Sequence, residues 1–314
     1  MDIQELQSRA KHNEPLSRHT TSRIGGVADL LIETRSVEDL VAVVACADAV
    51  RLPCMILGGG ANVLISDCGV RGLVVLHRAK DVRFAEQPGG VRVEADAGVM
   101  LITLARDCIE RGYAGLEWAI SVPGTVGGAV VGNAGAHGMD VASNLYGVRV
   151  LRRGAGLEAG PEAGLEWWMS QQLQFEYRRS VLKLYAPAVR PIVVSAQFDL
   201  KSDSRVDLER RAAEFAARRK ASQPPGASLG SMFKNPAGDY AGRLIEACGL
   251  KGRRVGGVMI SEKHANFFVN TEGDACAADV KALIDLAQRE VHDRFGVGLE
   301  LEVELIGDWE GGDE

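Results

Sequence analysis

A chain of 314 residues that is 46% hydrophobic and 25% charged can bury a large core, and this is not the composition of a disordered protein. Its 36 basic and 42 acidic residues leave a formal net charge of −6, which excludes a global attraction for nucleic acid and allows only a local basic pocket. No stretch is long and apolar enough to span a bilayer, and the opening residues MDIQELQSRAKHNEP lack the apolar core of a signal peptide, so a cytoplasmic protein is expected.

Residues 1–18 read as a short polar helix and a lead-in. From Val37 to Val50, the residues Val37, Leu40, Val41, Val44 and Ala45 recur at helical spacing. A turn at Pro53 leads into a short apolar strand, Cys54 to Leu57, that runs straight into Gly58-Gly59-Gly60-Ala61-Asn62. Strands are expected at Gly72 to Leu76 and around Val91, Val93 and Ala95, and a helix over Leu101, Leu104, Ala105, Cys108 and Ile109. The segment 121–135 carries so many glycines and small side chains that it reads as non-helical. Strands follow at 145–152 and 189–199, with a surface loop at 154–164 between them. A helix over Val206 to Lys220 opens a separate carboxy-terminal domain near residue 202. The residues Val280, Leu283, Ile284, Ala287 and Val291 form a late helical stripe. After Gly296 the period becomes two: Leu299, Leu301, Val303 and Leu305 face one way, and Glu300, Glu302 and Glu304 the other. That row of carboxylates is either a solvated face or the place where one of them enters a site.

Chemistry is concentrated in few places. The 37 glycines have no collagen-like period, so close backbone approaches are expected. Two stretches have their side chains minimised, Gly58 to Asn62 and Ser121 to Gly135. Each alone could be a plain turn, but together they suit backbone wrapped around one large ligand such as an adenine dinucleotide. Neither has the spacing of the G-x-G-x-x-G fingerprint or a Walker lysine. Gly230-Ser231-Met232-Phe233-Lys234-Asn235-Pro236 gathers a hydroxyl, an ammonium and an amide, yet a capped loop would look the same. No G-x-S-x-G elbow makes Ser231 an acyl-transfer nucleophile, although it can still donate a proton. Tyr177-Arg178-Arg179-Ser180 offers a guanidinium suited to a carboxylate, or simply a surface arginine. Six histidines contain no H-x-x-x-H pair, and Cys46, Cys54, Cys68, Cys108, Cys248 and Cys276 show no metal-ligand spacing; neither a metal site nor a disulfide framework is expected.

These stretches in this order resemble the UDP-N-acetylenolpyruvoylglucosamine reductase family. The resemblance runs through Thr20-Thr-Ser-Arg-Ile-Gly-Gly26, Leu57 to Ser66, Gly115 to Ala129, Asn133-Ala-Gly135, Tyr177-Arg178 with Ser180, Gly230 to Pro236, Leu244-Ile-Glu246, Gly249 to Gly252, Lys263-His-Ala-Asn266 and Leu299 to Val303. It implies an α+β chain: a two-lobed FAD-binding domain of the vanillyl-alcohol-oxidase (PCMH) type over 1–201, with lobes of about 1–80 and 81–201, then an α/β substrate-binding domain over 202–314. It implies non-covalent FAD held by Leu57, Gly58, Gly59, Gly60, Ala61, Asn62, Val63, Leu64, Ser121, Val122, Pro123, Gly124, Thr125, Gly127, Gly128 and Asn133. NADPH would be the hydride donor and UDP-N-acetylglucosamine enolpyruvate the substrate. The family's catalytic trio falls on Arg178, Ser231 and Glu302, and its substrate contacts on Tyr177, Lys234, Asn235 and His264. Arg178 and Glu302 would steady an enolate-like state and Ser231 would deliver a proton, with Glu302 effective only if protonated or bridged by a hydrogen bond. Glu300 and Glu304 would then be peripheral charge.

The chain departs from the family pattern at Leu229-Gly230, Met232, Val131 and His137, and at the loop around Pro225 and Gly226. It has no room for the tyrosine-bearing insertion of some members, which makes it the shorter subtype, and a monomer is expected. The competing expectations are an FAD-linked oxidase of the same cofactor fold and a nucleotide-binding scaffold without turnover. The oxidase gives no reason for Ser231 together with Glu302, and the loops at 57–66 and 121–128 hold no histidine for a covalent flavin bond.

Overall fold

Short strands and capped helices alternate through a computed structural model that describes residues 1–154, 164–271 and 273–309. The expected loop at 154–164 lies almost wholly outside the described residues. By internal contacts the chain forms two compact units. The first comprises Met1–His12, Leu30–Gly59 and Gly72–Arg218, and the second comprises Asn13–Asp29, Gly60–Arg71 and Arg219–Glu314.

In the first unit, helix α1 (Ile3–Arg9) is capped by Asp2, and α2 (Val37–Ala49) by Ser36, whose hydroxyl accepts from Asp39 N at 3.1 Å. Most of a four-stranded sheet also belongs to this unit, in the order Lys11–Pro15, Val27–Thr34, Val70–His77, Cys54–Leu57; the last two run parallel. Its core combines Leu40, Val43 and Val44 of α2 with Leu73 and Val75. A second, antiparallel sheet has the order Leu165–Met169, Leu145–Leu151, Ile192–Ser202, Gly90–Asp96, Val82–Gln87. Val93, Ala95, Val148, Ala196 and Phe198 of this sheet pack with Leu101, Leu104 and Cys108 of α3 (Leu101–Glu110).

The segment expected to be non-helical contains α4 (Val126–Gly132). Thr125 caps it by accepting from Gly128 N, and Asn133 ends it at φ 41° in the left-handed region. Tertiary packing overrides the low propensity of glycine here. A Cβ on Gly127 would stand 2.9 Å from the Cβ of Ala97, so only glycine lets the helix lie this close to that strand end. Helix α5 (Arg205–Ser222) sets Leu208 and Ala212 against Ile109.

In the second unit, an antiparallel sheet has the order Ala227–Ser231, Phe267–Asn270, Val258–Ile260, Arg254–Val255. Helices α6 (Ala241–Ala247) and α7 (Ala277–Phe295) complete its core. All five residues of the expected α7 stripe are buried. The start of α7 is held by Asp67, whose carboxylate accepts from Ala277 N and Ala278 N at 2.7 and 2.9 Å.

The alternating strand expected over Leu299–Leu305 does not form. Leu301 makes one isolated bridge with Phe233, the backbone bends at Glu302 and Val303, and only Glu304–Ile306 is a strand, parallel to Val63–Ile65. The bend breaks the period of two: Leu299, Val303 and Ile306 are buried, whereas Leu305 is only half-buried.

His77 is 3% exposed, its Nδ1 lies 3.0 Å from the hydroxyl of Thr34, and burial pushes its pKa down to about 4. The folded state therefore holds the neutral ring, while the unfolded chain takes up a proton below about pH 6.5. Stability is lost as pH falls from about 6.5 toward 4, by about 2 kcal/mol between pH 7 and pH 5 from this residue. Urea unfolding at the two pH values will show that difference in the wild type, and it will shrink by about that amount in His77→Gln.

Candidate functional site

In the first unit, the glycine loop and the segment 121–128 meet. Cys54–Leu57 ends with Leu57 buried, and the chain then turns through Gly58 and Gly59. A Cβ on Gly59 would stand 2.8 Å from the Cα of Gly124, so the two backbones lie in contact. Arg78 Nη1 donates to Gly58 O at 3.2 Å. The partner loop is tied along another strand end: Leu101 N donates to Gly124 O, Val126 N to Val99 O, and Gly127 N to Ala97 O, at 2.9–3.0 Å. Ser121, Val122 and Gly124 are half-buried, Pro123 and Gly128 exposed, and Thr125 buried.

The Ser121 hydroxyl is buried and has no hydrogen-bond partner within the protein. A buried donor of this kind needs a partner from elsewhere. Bare backbone on two loops and an unsatisfied hydroxyl beside them fit a bound dinucleotide such as FAD, which these loops would hold through backbone N–H groups.

Asn133 lies at the end of α4 in the same unit. Its amide donates to the Asp140 carboxylate and to Glu176 O, both at 3.0 Å, and accepts from Ala142 N at 3.1 Å. Both amide hydrogens are thereby occupied inside the protein, so toward a cofactor the side chain could offer only the remaining lone pair of its oxygen. One of those bonds fixes a tight turn, Glu176 to Arg179, closed by reciprocal backbone hydrogen bonds. Tyr177, 54% exposed, and Arg178 occupy its corners, and Arg178 has φ 57°. A positive φ is unfavourable for arginine and is found where the surroundings over-determine it. Arg178 Nη2 donates to Gly135 O at 2.5 Å, so the guanidinium is steered rather than left to sweep through solvent.

In the second unit, Gly60 O accepts from Thr21 N at 3.0 Å, and the Thr21 hydroxyl donates to Ser228 O at 2.8 Å. Next to Ala61, the Asn62 amide donates to Glu302 O at 2.9 Å, and Glu304 N donates to Asn62 O at 3.0 Å. Val63 and Leu64 continue as the strand beside Glu304–Ile306, and the Leu64 side chain lies in the core. Ser231 ends one strand, paired with Phe267. Met232 N donates to Asn266 O at 2.8 Å, and Glu302 N donates to Met232 O at 2.9 Å. Ser231 and Glu302 are thus brought to neighbouring backbone segments, and both are half-buried.

Lys234 pairs with Glu300, Nζ to Oε1, at 2.5 Å. Asn235 Oδ1 accepts from Ala241 N, the first residue of α6, at 3.1 Å, and its amide nitrogen is the donor it can offer a ligand. His264 Nδ1 accepts from Asn266 N at 3.2 Å, which assigns the ring proton to Nε2. Burial lowers its pKa, so near neutral pH it is an uncharged donor.

Two residues of this framework had no role in the sequence reading. Asn266 and Thr21 each stood only in a stretch that resembles the family. Asn266 carried a signal, an amide flanked by the apolar Ala265 and Phe267, whereas Thr21, between Thr20 and Ser22, carried none beyond its motif. Among the described residues no group of three or more His, Cys, Asp or Glu is placed to hold a metal ion, and no helix is long and apolar enough to cross a membrane.

Comparison with known proteins carries the reading further. The UDP-N-acetylenolpyruvoylglucosamine reductase C-terminal domain matches residues 222–306, and an FAD binding domain matches residues 28–157. A UDP-N-acetylenolpyruvoylglucosamine reductase of Rubrobacter xylanophilus is 42% identical over 98% of this chain and 98% of its own length. The chain belongs to the UDP-N-acetylenolpyruvoylglucosamine reductase family. A Moorella thermoacetica member is 44% identical over 96% of this chain and 95% of its own. The crystal structure of the Thermus caldophilus reductase superposes with a TM-score of 0.77 at 34% identity, covering 95% of this chain and 98% of that one. The first domain accordingly has the vanillyl-alcohol-oxidase type of FAD-binding fold, as the family resemblance implied.

Replacing Gly59 by alanine drives a methyl into the Gly124 backbone. Gly59→Ala is expected to lose roughly tenfold or more in FAD affinity while retaining its far-ultraviolet circular dichroism. Flavin absorbance per mole of protein after gel filtration measures this.

Proposed function

We infer that the chain is the FAD-dependent reductase that uses NADPH to convert UDP-N-acetylglucosamine enolpyruvate to UDP-N-acetylmuramate, a step of peptidoglycan precursor synthesis. The observation that carries this is near-full-length kinship at about 42% identity, supported by Ser231 and Glu302 lying on neighbouring backbone segments. When bound, FAD would supply hydride transfer from NADPH to the terminal alkene carbon of the enolpyruvyl group.

The remaining steps fall to side chains. Hydride addition leaves negative charge on the adjacent carbon and its carboxylate. Arg178, strained at its turn and steered by Gly135 O, binds that carboxylate and stabilises the charge as it develops. Ser231 delivers the proton to the carbon from its hydroxyl and recovers one from solvent. A serine is a weak acid, so this works only against a strongly basic carbon held in contact. Glu302, its backbone fixed by Met232 and Asn62, supports the charge through a hydrogen bond in its protonated form, since a bare carboxylate would repel it.

Lys234, Asn235 and the Nε2–H of His264 bind the diphosphate and sugar, with Tyr177 packing beside the substrate. Leu57 to Leu64 and Ser121 to Gly128 hold the cofactor. Residues 1–201 serve FAD and 202–314 the substrate, in a cytoplasmic monomer of the shorter family subtype.

Ser231→Ala should separate the two half-reactions. Under anaerobic conditions NADPH will reduce the variant's flavin at the wild-type rate, while reoxidation by the enolpyruvyl substrate will slow by about 10² to 10⁴. Reoxidation at the wild-type rate would remove Ser231 from the proton transfer.

A further inference from the structure

The Lys234–Glu300 pair flanks the same backbone bridge as Glu302. Phe233 bridges Leu301 in antiparallel register, Lys234 N donates to Glu300 O at 2.8 Å, and Glu302 N donates to Met232 O at 2.9 Å. Lys234 therefore stands opposite Glu300, and Met232 opposite Glu302. The bridge sets the Lys234 and Glu300 backbones side by side, just before the bend at Glu302.

The two partners are unequal. The Lys234 side chain is 15% exposed and that of Glu300 is 74% exposed. Most of the lysine side chain is covered by protein, whereas the carboxylate reaches it from water. Opening the pair loses little on the glutamate side, because solvent reclaims it. On the lysine side it leaves a cation on a mostly covered side chain without its counter-charge, which is unfavourable until another anion arrives. The exchange is thus driven by an anionic ligand.

We propose that Glu300 is an internal counter-ion that holds Lys234 in place and is displaced by the diphosphate of the nucleotide substrate, so that it competes directly with that diphosphate. This rests on the reading of Lys234 as a substrate ligand. A diphosphate is the fitting occupant because a lysine acts toward phosphate as a point charge, while the substrate carboxylate is matched to the planar fork of Arg178. Glu300 is then a positioning residue that acts through Lys234, and not the peripheral charge that the sequence implied.

The test compares Glu300→Gln and Lys234→Met in the full-length, FAD-loaded chain. Calorimetry would measure binding of UDP and of uridine at low and high salt, and steady-state kinetics would give KM and kcat for the enolpyruvyl substrate. In Glu300→Gln, UDP should bind about fivefold more tightly at low salt, the size of one exposed charge pair. The gain should shrink at high salt, uridine binding should not change, and the kinetic effect should appear as a lower KM rather than in kcat. Lys234→Met should weaken UDP binding. If Lys234→Met weakens UDP but Glu300→Gln leaves it unchanged or weaker, the counter-ion role fails and Lys234 remains a substrate ligand. If Lys234→Met leaves UDP binding unchanged, Lys234 is not a substrate ligand and both readings fall.

Discussion

A single buried amide holds the second unit's chemistry in register. Asn266, 2% exposed, accepts from Phe233 N at 2.9 Å and donates to Phe233 O at 2.8 Å, doing with a side chain what a neighbouring strand does with its backbone. Met232 N reaches Asn266 O, and beyond this segment lie Glu300 and Glu302, bonded to Lys234 and Met232. Ser231, Lys234 and Glu302 therefore owe their mutual placement to one short segment pinned on both edges. A buried donor and acceptor on Phe233 without that amide would each lack a partner, a loss of about 1–3 kcal/mol apiece. This explains why a polar side chain sits among Ala265, Phe267 and Phe268 in an otherwise apolar core.

The first unit solves a different problem. A large flat cofactor needs backbone donors close at hand, and side chains at those positions would stand in the way. Gly59 against Gly124, with the 124–127 loop stitched to Ala97–Leu101, would provide that surface. Asn133 then links the end of α4 to the turn that bears Arg178, so one helix end supports both the cofactor segment and the arginine that would bind carboxylate. The positive φ of Arg178 is tolerable because Glu176 and Arg179 close the turn from both sides.

What could be read from the sequence follows from the range of each signal. Helical stripes such as Val280 to Val291 and apolar runs such as Cys54–Leu57 are local, and they form as expected. The glycine-rich helix α4 was hidden because its stability comes from packing on Ala97 and from the Thr125 cap, not from propensity. The glutamate row misled because a bend at Glu302 and Val303 interrupts its alternation, and that bend is set by bonds to Met232 and Asn62, residues far away in sequence. The interleaving of 13–29 and 60–71 with the carboxy-terminal segment has no local signature at all. Among the candidate residues, types and motifs were legible, but partnerships were not: Lys234 with Glu300, Asn235 with the start of α6, and Asn133 with three backbone or side-chain groups appear only in three dimensions.

The central claim is that this chain reduces an enolpyruvyl ether through bound flavin. The most direct measurement is anaerobic stopped-flow absorbance: the FAD-loaded protein is reduced with one equivalent of NADPH and mixed with UDP-N-acetylglucosamine enolpyruvate. The account predicts rapid return of the oxidised flavin spectrum with one lactyl ether formed per flavin. Reduced flavin that ignores the enolpyruvyl substrate yet is promptly reoxidised by oxygen would contradict it and point to an oxidase instead.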